Sequence, residues 1–335
     1  MERLDQIVRI LLSFDGMRRK MVLPEVARRL EQDSYRGDVT GTFGEDSAVV
    51  ETSCDELLLI TVDSIAEDLC ANYPYSAGFN VVLANVMDIY AAGGVPTSIS
   101  VVVSYIDDSM REGLLSGITR ASQVFRVPIV RGHTNPGSAR PYVVGCATGR
   151  VDRRCRLTSC GARSGDTLLL LHDRVGARGK NYKLGWDSVT GRSPDEIRVR
   201  LAVMNSIAER HLVNASKDVS VAGLIGTAAM MVEHSGRGAV IHLDQVEKIC
   251  PPEVGIEDWL RMYISLGFLL SVDEDHVKDV IKIAADHLMS ASPIGVVDGS
   301  REFRLRLGRE ERMLFDFSHG PILIPPAQQQ GAWPS

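Results

Sequence analysis

Asn85-Val86-Met87-Asp88-Ile89-Tyr90-Ala91-Ala92-Gly93-Gly94-Val95-Pro96 is the stretch on which the reading of this chain turns. From Ala77 onward, Val81, Val82, Leu83, Val86, Ile89 and Tyr90 recur at helical spacing, and Gly93-Gly94 followed by Pro96 makes a helix stop. The pattern predicts a mostly apolar helix with Asp88 close to its C-terminal end. A carboxylate there is costly to bury unless a cation, a set of donors or a metal compensates it. Taken alone, Asp88 reads more simply as a helix acid turned to solvent. Three further aspartates at the ends of apolar runs weaken that simpler reading.

Working outward, residues 2–31 carry two amphipathic helical patterns, followed by a polar, Gly-bearing stretch over 33–42 expected to be mobile. Short apolar or β-branched runs at 46–50 and 57–62, split by a polar turn, predict two strands of one sheet. After the Asp88 helix come a predicted strand over 98–105, a helix over 110–125, a short strand around 128–130 and a strand over 142–148. The Gly- and Arg-rich run CRLTSCGARSG at 155–165 introduces a new strand over 166–171, which places a domain boundary near 151–158. The expected organisation is therefore a first domain over 1–150, a second over 151–325 and a disordered tail over 326–335. In the second domain the pattern predicts helices over 195–211, 222–234, 255–264 and 276–288. Strands are expected over 238–243, 268–272, 294–297 and 303–307. The predicted class is α/β (α+β), with two mixed domains.

The chain has 335 residues, 44% of them hydrophobic and 24% charged, enough for a sizeable core. Lys and Arg number 37 against 43 Asp and Glu, a net charge of −6, so no broad basic surface for nucleic acid is expected. The six cysteines form no Cys-x-x-Cys pair, and reduced thiols in a cytoplasmic protein are the expectation. No apolar run approaches the roughly 20 residues needed to span a bilayer.

Four aspartates end strands or helices beside Gly or small residues: Asp46 in GEDSAVV, Asp63 in LITVDS, Asp88 in NVMDIYAAGG and Asp218 in SKDVSVAG. A carboxylate set suits hard Mg²⁺ bridging phosphate oxygens, and Gly-adjacent loops let the backbone approach a phosphate. Each aspartate by itself also fits an Asx turn or a cap. RGHTNP at 131–136 reads as a ligand-facing loop or as a plain polar turn. Walker, GxGxxG, G-x-S-x-G and H-E-x-x-H patterns are absent, which disfavours P-loop, Rossmann, serine-hydrolase and zinc-protease chemistry.

GEDSAVV, TVDSIAED, ANVMDIYAAGGVP, RGHTNP, LTSCGARSGDTLLL, KDVSVAGLIG and SGRGAVIHLDQV follow one another in the order and spacing of the aminoimidazole-ribonucleotide-synthetase superfamily. The chain resembles that superfamily, which includes thiamine monophosphate kinase, selenophosphate synthetase and a hydrogenase-maturation dehydratase. Through KLGWDSVTGRSPDEIR and DWLRMY it resembles in particular the uncharacterised synthetase-related proteins grouped with methanogenesis markers. The resemblance implies an N-terminal mixed sheet that pairs across a homodimer, a C-terminal α/β domain, and ATP with Mg²⁺ near their junction. It implies Asp46, Asp63, Asp88 and Asp218 as metal ligands, and Asn85, Gly132, His133, Thr134, Lys217 and Ser220 against the nucleotide. Where the kinase has Gly-Gly-Asp, this chain has Arg131-Gly132-His133, and Val221 replaces a second acid after Asp218. No cysteine lies near either terminus, so neither a selenophosphate nor a hydrogenase-maturation activity is expected.

Specificity is left to KNYKLGWDSVTGRS at 180–193 and WLRMY at 259–263. Lys180 and Lys183 could hold an anionic substrate, Trp186 could stack on a ring and Asp187 could orient a donor. A solvated loop and a core tryptophan account for the same residues. The expected function is ATP- and Mg²⁺-dependent phosphoryl transfer to, or phosphate activation of, an oxygen of a small molecule. The alternative is a nucleotide-binding maturation or scaffold protein without turnover.

Overall fold

The computed structural model describes residues 2–34, 43–52, 55–65 and 67–325; the expected disordered tail and most of the polar 33–42 stretch lie outside these residues. The helix Pro74–Ala91 forms as the spacing requires, and nearly its whole circumference is buried. One side packs on a sheet and another on the helix Asp108–Phe125, with backbones so close that a Cβ on Gly78 would meet the Leu114 carbonyl at 2.1 Å. The helix ends where the glycines predict. Gly93 takes φ +77° and Gly94 N–H donates to the Ile89 carbonyl at 3.0 Å, a left-handed termination that favours glycine.

The sheet under this helix contains β1 (Ala48–Glu51), β2 (Glu56–Ile65), β3 (Val95–Tyr105), β4 (Ile129–Pro136) and β5 (Tyr142–Asp152). Their order is β1-β2-β5-β3-β4, antiparallel except for the β3–β4 pair. Period-2 alternation turns Leu57, Leu59, Ile99, Val101, Val143 and Ala147 into the core. The opposite face carries Val62, Val102, Val144 and Cys146, with Val62 63% exposed. The strand expected at 128–130 runs on through Pro136, because β3 offers a parallel partner along its whole length. RGHTNP is therefore an exposed edge strand and not a loop.

The second sheet is built from β6 (Thr167–His172), β9 (Ala215–Asp218), β10 (Gly238–His242), β12 (Gly267–Val272), β13 (Ser290–Asp298), β14 (Glu302–Leu307) and β15 (Glu310–Asp316), in the order β15-β14-β10-β13-β6-β12-β9. β7 (Ala177–Arg178), β8 (Gly185–Asp187) and β11 (Tyr263–Ile264) form a small third sheet. Leu168–Leu171 is buried throughout because both faces of β6 are covered. Leu169 and Leu171 join the core shared with the helices Pro194–Glu209 and Val277–Asp286, whereas Leu168 and Leu170 join that of the helix Gly223–His234.

Leu4, Ile7 and Leu11 of the helix Glu2–Ser13 belong to the core of the second sheet. One expectation is corrected here: the helix expected over 255–264 is confined to Ile256–Trp259. Its continuation is pulled into extended pairing, with Tyr263 N–H donating to the Leu184 carbonyl at 2.9 Å and Ser265 N–H to the Trp186 carbonyl at 3.0 Å. Asn205 of the helix Pro194–Glu209 ties the halves together, donating from Nδ2 to the carbonyls of Gly93 and Gly94 at 2.9 and 3.0 Å. That bond fixes the helix end that carries Asp88.

Candidate functional site

Four elements deliver the four aspartates to one place between the two larger sheets. Asp46 precedes β1, Asp63 lies near the end of β2, Asp88 stands in the last turn of its helix and Asp218 closes β9. Asp46, Asp88 and Asp218 bring carboxylate oxygens within 4.8 Å of one another. The charge of Asp63 bears on Asp88, and Asp63 Oδ2 is buried without a hydrogen-bond partner. The surroundings hold the set in place. Thr61 Oγ1 donates to Asp88 Oδ2, Ser47 Oγ donates to the Asp88 carbonyl at 3.2 Å, and Asp218 N–H donates to Asp46 Oδ2 at 3.3 Å. Thr61 escaped the sequence reading, although its place two residues before Asp63 on a strand puts both on one face.

Burial and like charge dominate the electrostatics of this cluster. Burial pushes the Asp88 carboxyl well above the usual carboxylate range, and the charges of Asp63, Asp218 and Asp46 push it further. Burial likewise raises Asp218, to about 8, with Asp46 adding to the shift and Lys217 opposing it. Burial raises Asp46 against the pull of Lys217. Lys217 is buried and ion-paired with Asp46 Oδ1; burial alone would lower its pKa, but the charges of Asp46 and Asp218 hold it above the ordinary lysine value. Lys217, with a weaker pull from Lys20, against four carboxylates leaves excess negative charge in a desolvated space, a donor set of hard oxygens that fits a hard divalent cation such as Mg²⁺. The orphaned Asp63 Oδ2 points to the same conclusion.

Tyr263 feels the charge of the cluster. Its hydroxyl is buried without a partner, and its pKa is raised well above the usual value by burial and by the charges of Asp218, Asp63, Asp187 and Asp88. Tyr263 ends the WLRMY segment assigned to specificity, where the helix expected over 255–264 does not form. The strand it forms instead pairs with β8, Tyr263 opposite Gly185 and Ile264 opposite Trp186, so the two segments assigned to specificity meet beside the carboxylates.

Several expected contacts are placed elsewhere. Asn85 is fully buried with both ends of its amide in use: Nδ2 donates to the Val81 carbonyl at 2.8 Å and Oδ1 accepts from Ala147 N–H at 3.2 Å. It ties helix to sheet. Gly132, His133 and Thr134 are exposed on β4. Asp63 pairs with Gly145, Gly145 with Val101 and Val101 with Gly132, three strand spacings or about 14 Å from the acids. Trp186 is a core residue, 2% exposed, edge-on to Trp259 at 5.8 Å, with Nε1 donating to the Asp173 carbonyl at 3.1 Å. Lys180 and Lys183 are exposed on the β7–β8 connection. Asp187 Oδ1 accepts from Val189 and Thr190 N–H at 2.9 and 3.0 Å, shaping the turn beside Tyr263. Ser220 is half-buried, its carbonyl accepting from Gly223 N–H at 2.9 Å at the entry to the helix Gly223–His234. Lys217 serves Asp46 as a counter-ion.

Fold and site together define a class, and comparison with known proteins agrees. The model of the AIR synthase related protein N-terminal domain matches residues 44–151, and that of the C-terminal domain matches residues 163–308. An uncharacterised protein of Methanocaldococcus jannaschii is 31% identical over 316 residues, covering 94% of this chain and 97% of that protein. The chain belongs to the AIR synthase related family. Among solved structures, Thermotoga maritima PurL complexed with FGAR is similar with a TM-score of 0.77 at 17% identity, over 99% of this chain and 55% of that one. The chain thus spans about half the length of that protein. Aquifex aeolicus ThiL, a thiamine monophosphate kinase complexed with AMPPCP and TMP, is similar with a TM-score of 0.62 at 19% identity, over 87% of this chain and 95% of that one.

Proposed function

We propose that this protein is an ATP- and Mg²⁺-dependent phosphotransferase or synthetase that phosphorylates, or activates through phosphate, an oxygen of a small molecule. The observation that carries this reading is the convergence of Asp46, Asp63, Asp88 and Asp218, from separate parts of the chain, on one desolvated point where the buried Lys217 pairs with Asp46. Such a set is poorly explained by stability, since like charges brought out of water oppose folding. Mg²⁺ held by these oxygens would neutralise phosphate charge. Tyr263 and the β7–β8 hairpin would border the acceptor, with Lys183 as an exposed cation for an anionic group. The nucleotide and nucleotide-analogue complexes of the T. maritima and A. aeolicus proteins support ATP as the ligand.

A homodimer belongs to the same reading. The apolar open face of the first sheet and its unpaired β4 edge match what a two-fold partner would cover, and Gly132, His133 and Thr134 would then approach a nucleotide only across that interface. No helix among the described residues is long and apolar enough to cross a membrane, and a cytoplasmic location is part of the proposal. The second reading, a nucleotide-binding scaffold without turnover, is favoured by one feature: Lys217 is already committed to Asp46, and Val221, 47% exposed, stands where a further acid would follow. Calorimetry of ATP binding tests the metal part of the proposal. Affinity is expected to fall at least tenfold when Mg²⁺ is removed, and equal affinity with and without Mg²⁺ would refute it.

A further inference from the structure

We propose a second metal site, formed by Glu45, Cys160 and His234, that takes a divalent transition ion of the zinc class and is separate from the aspartate cluster. Each of these residues offers one donor atom, and the three donors lie within 4.8 Å of one another. The cluster has features that a chance grouping lacks. His234 is 2% exposed at the end of its helix, and its Nε2 has no hydrogen-bond partner. Its other nitrogen is held by Ser159 Oγ at 2.8 Å, and that hydroxyl has the Gly44 carbonyl at 3.3 Å to receive its own proton. The hydroxyl therefore accepts from Nδ1–H, which leaves Nε2 a bare lone pair facing Cys160 and Glu45. A ring nitrogen fixed in this way is how proteins orient a metal-binding histidine.

Glu45 is prepared similarly. Oε2 accepts from Ser159 N–H at 2.7 Å, whereas Oε1 is buried and unpartnered. Gly44, at φ +110°, makes the turn that delivers Glu45; a Cβ there would stand 3.1 Å from His234 Cε1. Imidazole, thiolate and carboxylate together suit zinc-class ions better than Mg²⁺, which the neighbouring all-oxygen set suits. Zinc bond lengths of about 2.0–2.3 Å place tetrahedral donors about 3.4–3.7 Å apart, so the three donors need to close by no more than roughly 1 Å. Burial keeps His234 neutral, its pKa lowered to about 4, and burial with the Glu45 charge pushes the Cys160 thiol up to about 12. Binding would form one metal–sulfur bond and release the thiol proton to solvent, with no change of oxidation state. A metal here would pin the turn preceding Asp46 to the end of the helix Gly223–His234.

The test uses the full chain, stripped with a chelator and titrated with Co²⁺ in excess Mg²⁺, which occupies the oxygen-only site. The expected result is a sulfur-to-cobalt charge-transfer band saturating at one equivalent, absent in Cys160→Ser. In His234→Gln, cobalt affinity should fall at least tenfold; Glu45→Gln serves the same purpose if circular dichroism shows that variant unfolded. Zn²⁺ should displace the cobalt and raise the Tm of the wild type but not of Cys160→Ser. No band at one equivalent, or a band of equal intensity in Cys160→Ser, would overturn the proposal. No nucleotide enters this experiment, so its outcome is independent of the function proposed above.

Discussion

Replacing Asp88 by Asn separates a metal site from a structural acid, because the two predict changes of opposite sign in two measurements. The carboxylates of Asp46, Asp88 and Asp218 approach within 4.8 Å. At an effective dielectric of about 20, each ionised pair at that distance repels by about 3 kcal/mol. Lys217 offsets the Asp46 charge, which leaves Asp88 facing Asp63 and Asp218, and protonation of Asp88 relieves most of that repulsion. Asn has the same shape and its carbonyl can still accept from Thr61 Oγ1. The metal-free variant should therefore be between unchanged and about 3 kcal/mol more stable, a rise in Tm of up to roughly 6 °C at about 2 °C per kcal/mol. Mg·ATP binding should move the other way. Losing one charge-assisted contact of about 1.5–3 kcal/mol weakens it at least tenfold. Differential scanning fluorimetry without metal and calorimetry with Mg·ATP read the two effects on one preparation. A fall in metal-free Tm together with unchanged Mg·ATP affinity, in both Asp88→Asn and Asp218→Asn, would refute the metal assignment.

Two further predictions concern stability and assembly. His172 is buried in β6, and burial, helped by the Arg174 charge, lowers its pKa to about 4 from the ordinary 6.5. The unfolded chain takes up a proton that the folded one refuses, so this contribution is fully present above pH 6.5 and is lost as pH falls toward 4. The loss should reach about 2 kcal/mol by pH 5, measured by urea unfolding at pH 7 and 5, and should shrink in His172→Phe; an identical pH dependence in both proteins would contradict it. If the open face of the first sheet closes on a second copy, light scattering should show a dimer at micromolar concentration and Val62→Glu should shift it toward monomer. A wild-type monomer with Mg-dependent ATP binding intact would remove the interface and, with it, any nucleotide role for His133.

The parts of the site that were legible in the sequence are those with local causes. The Asp88 helix and its stop follow from apolar spacing and two glycines, and the four aspartates from their positions at element ends. The long-range pairings were not legible. RGHTNP looks like a loop until β3 supplies hydrogen bonds along its length, and Tyr263 looks helical until β8 takes its backbone. Trp186 illustrates the same limit for side chains: it stands between Gly185 and Asp187, but the residue it packs against, Trp259, is 73 positions away and lies in another segment. The Lys217–Asp46 pair spans the two larger sheets, and no sequence spacing encodes it.

The central claim is that this site spends ATP on a small molecule. The measurement that tests it most directly is ATP consumption by the purified protein, with and without Mg²⁺, against fractionated cell-extract metabolites. The account predicts Mg²⁺-dependent conversion of ATP that one class of fraction stimulates and that Asp218→Asn abolishes. Binding of Mg·ATP with no turnover in any fraction would contradict it and leave the scaffold reading in its place.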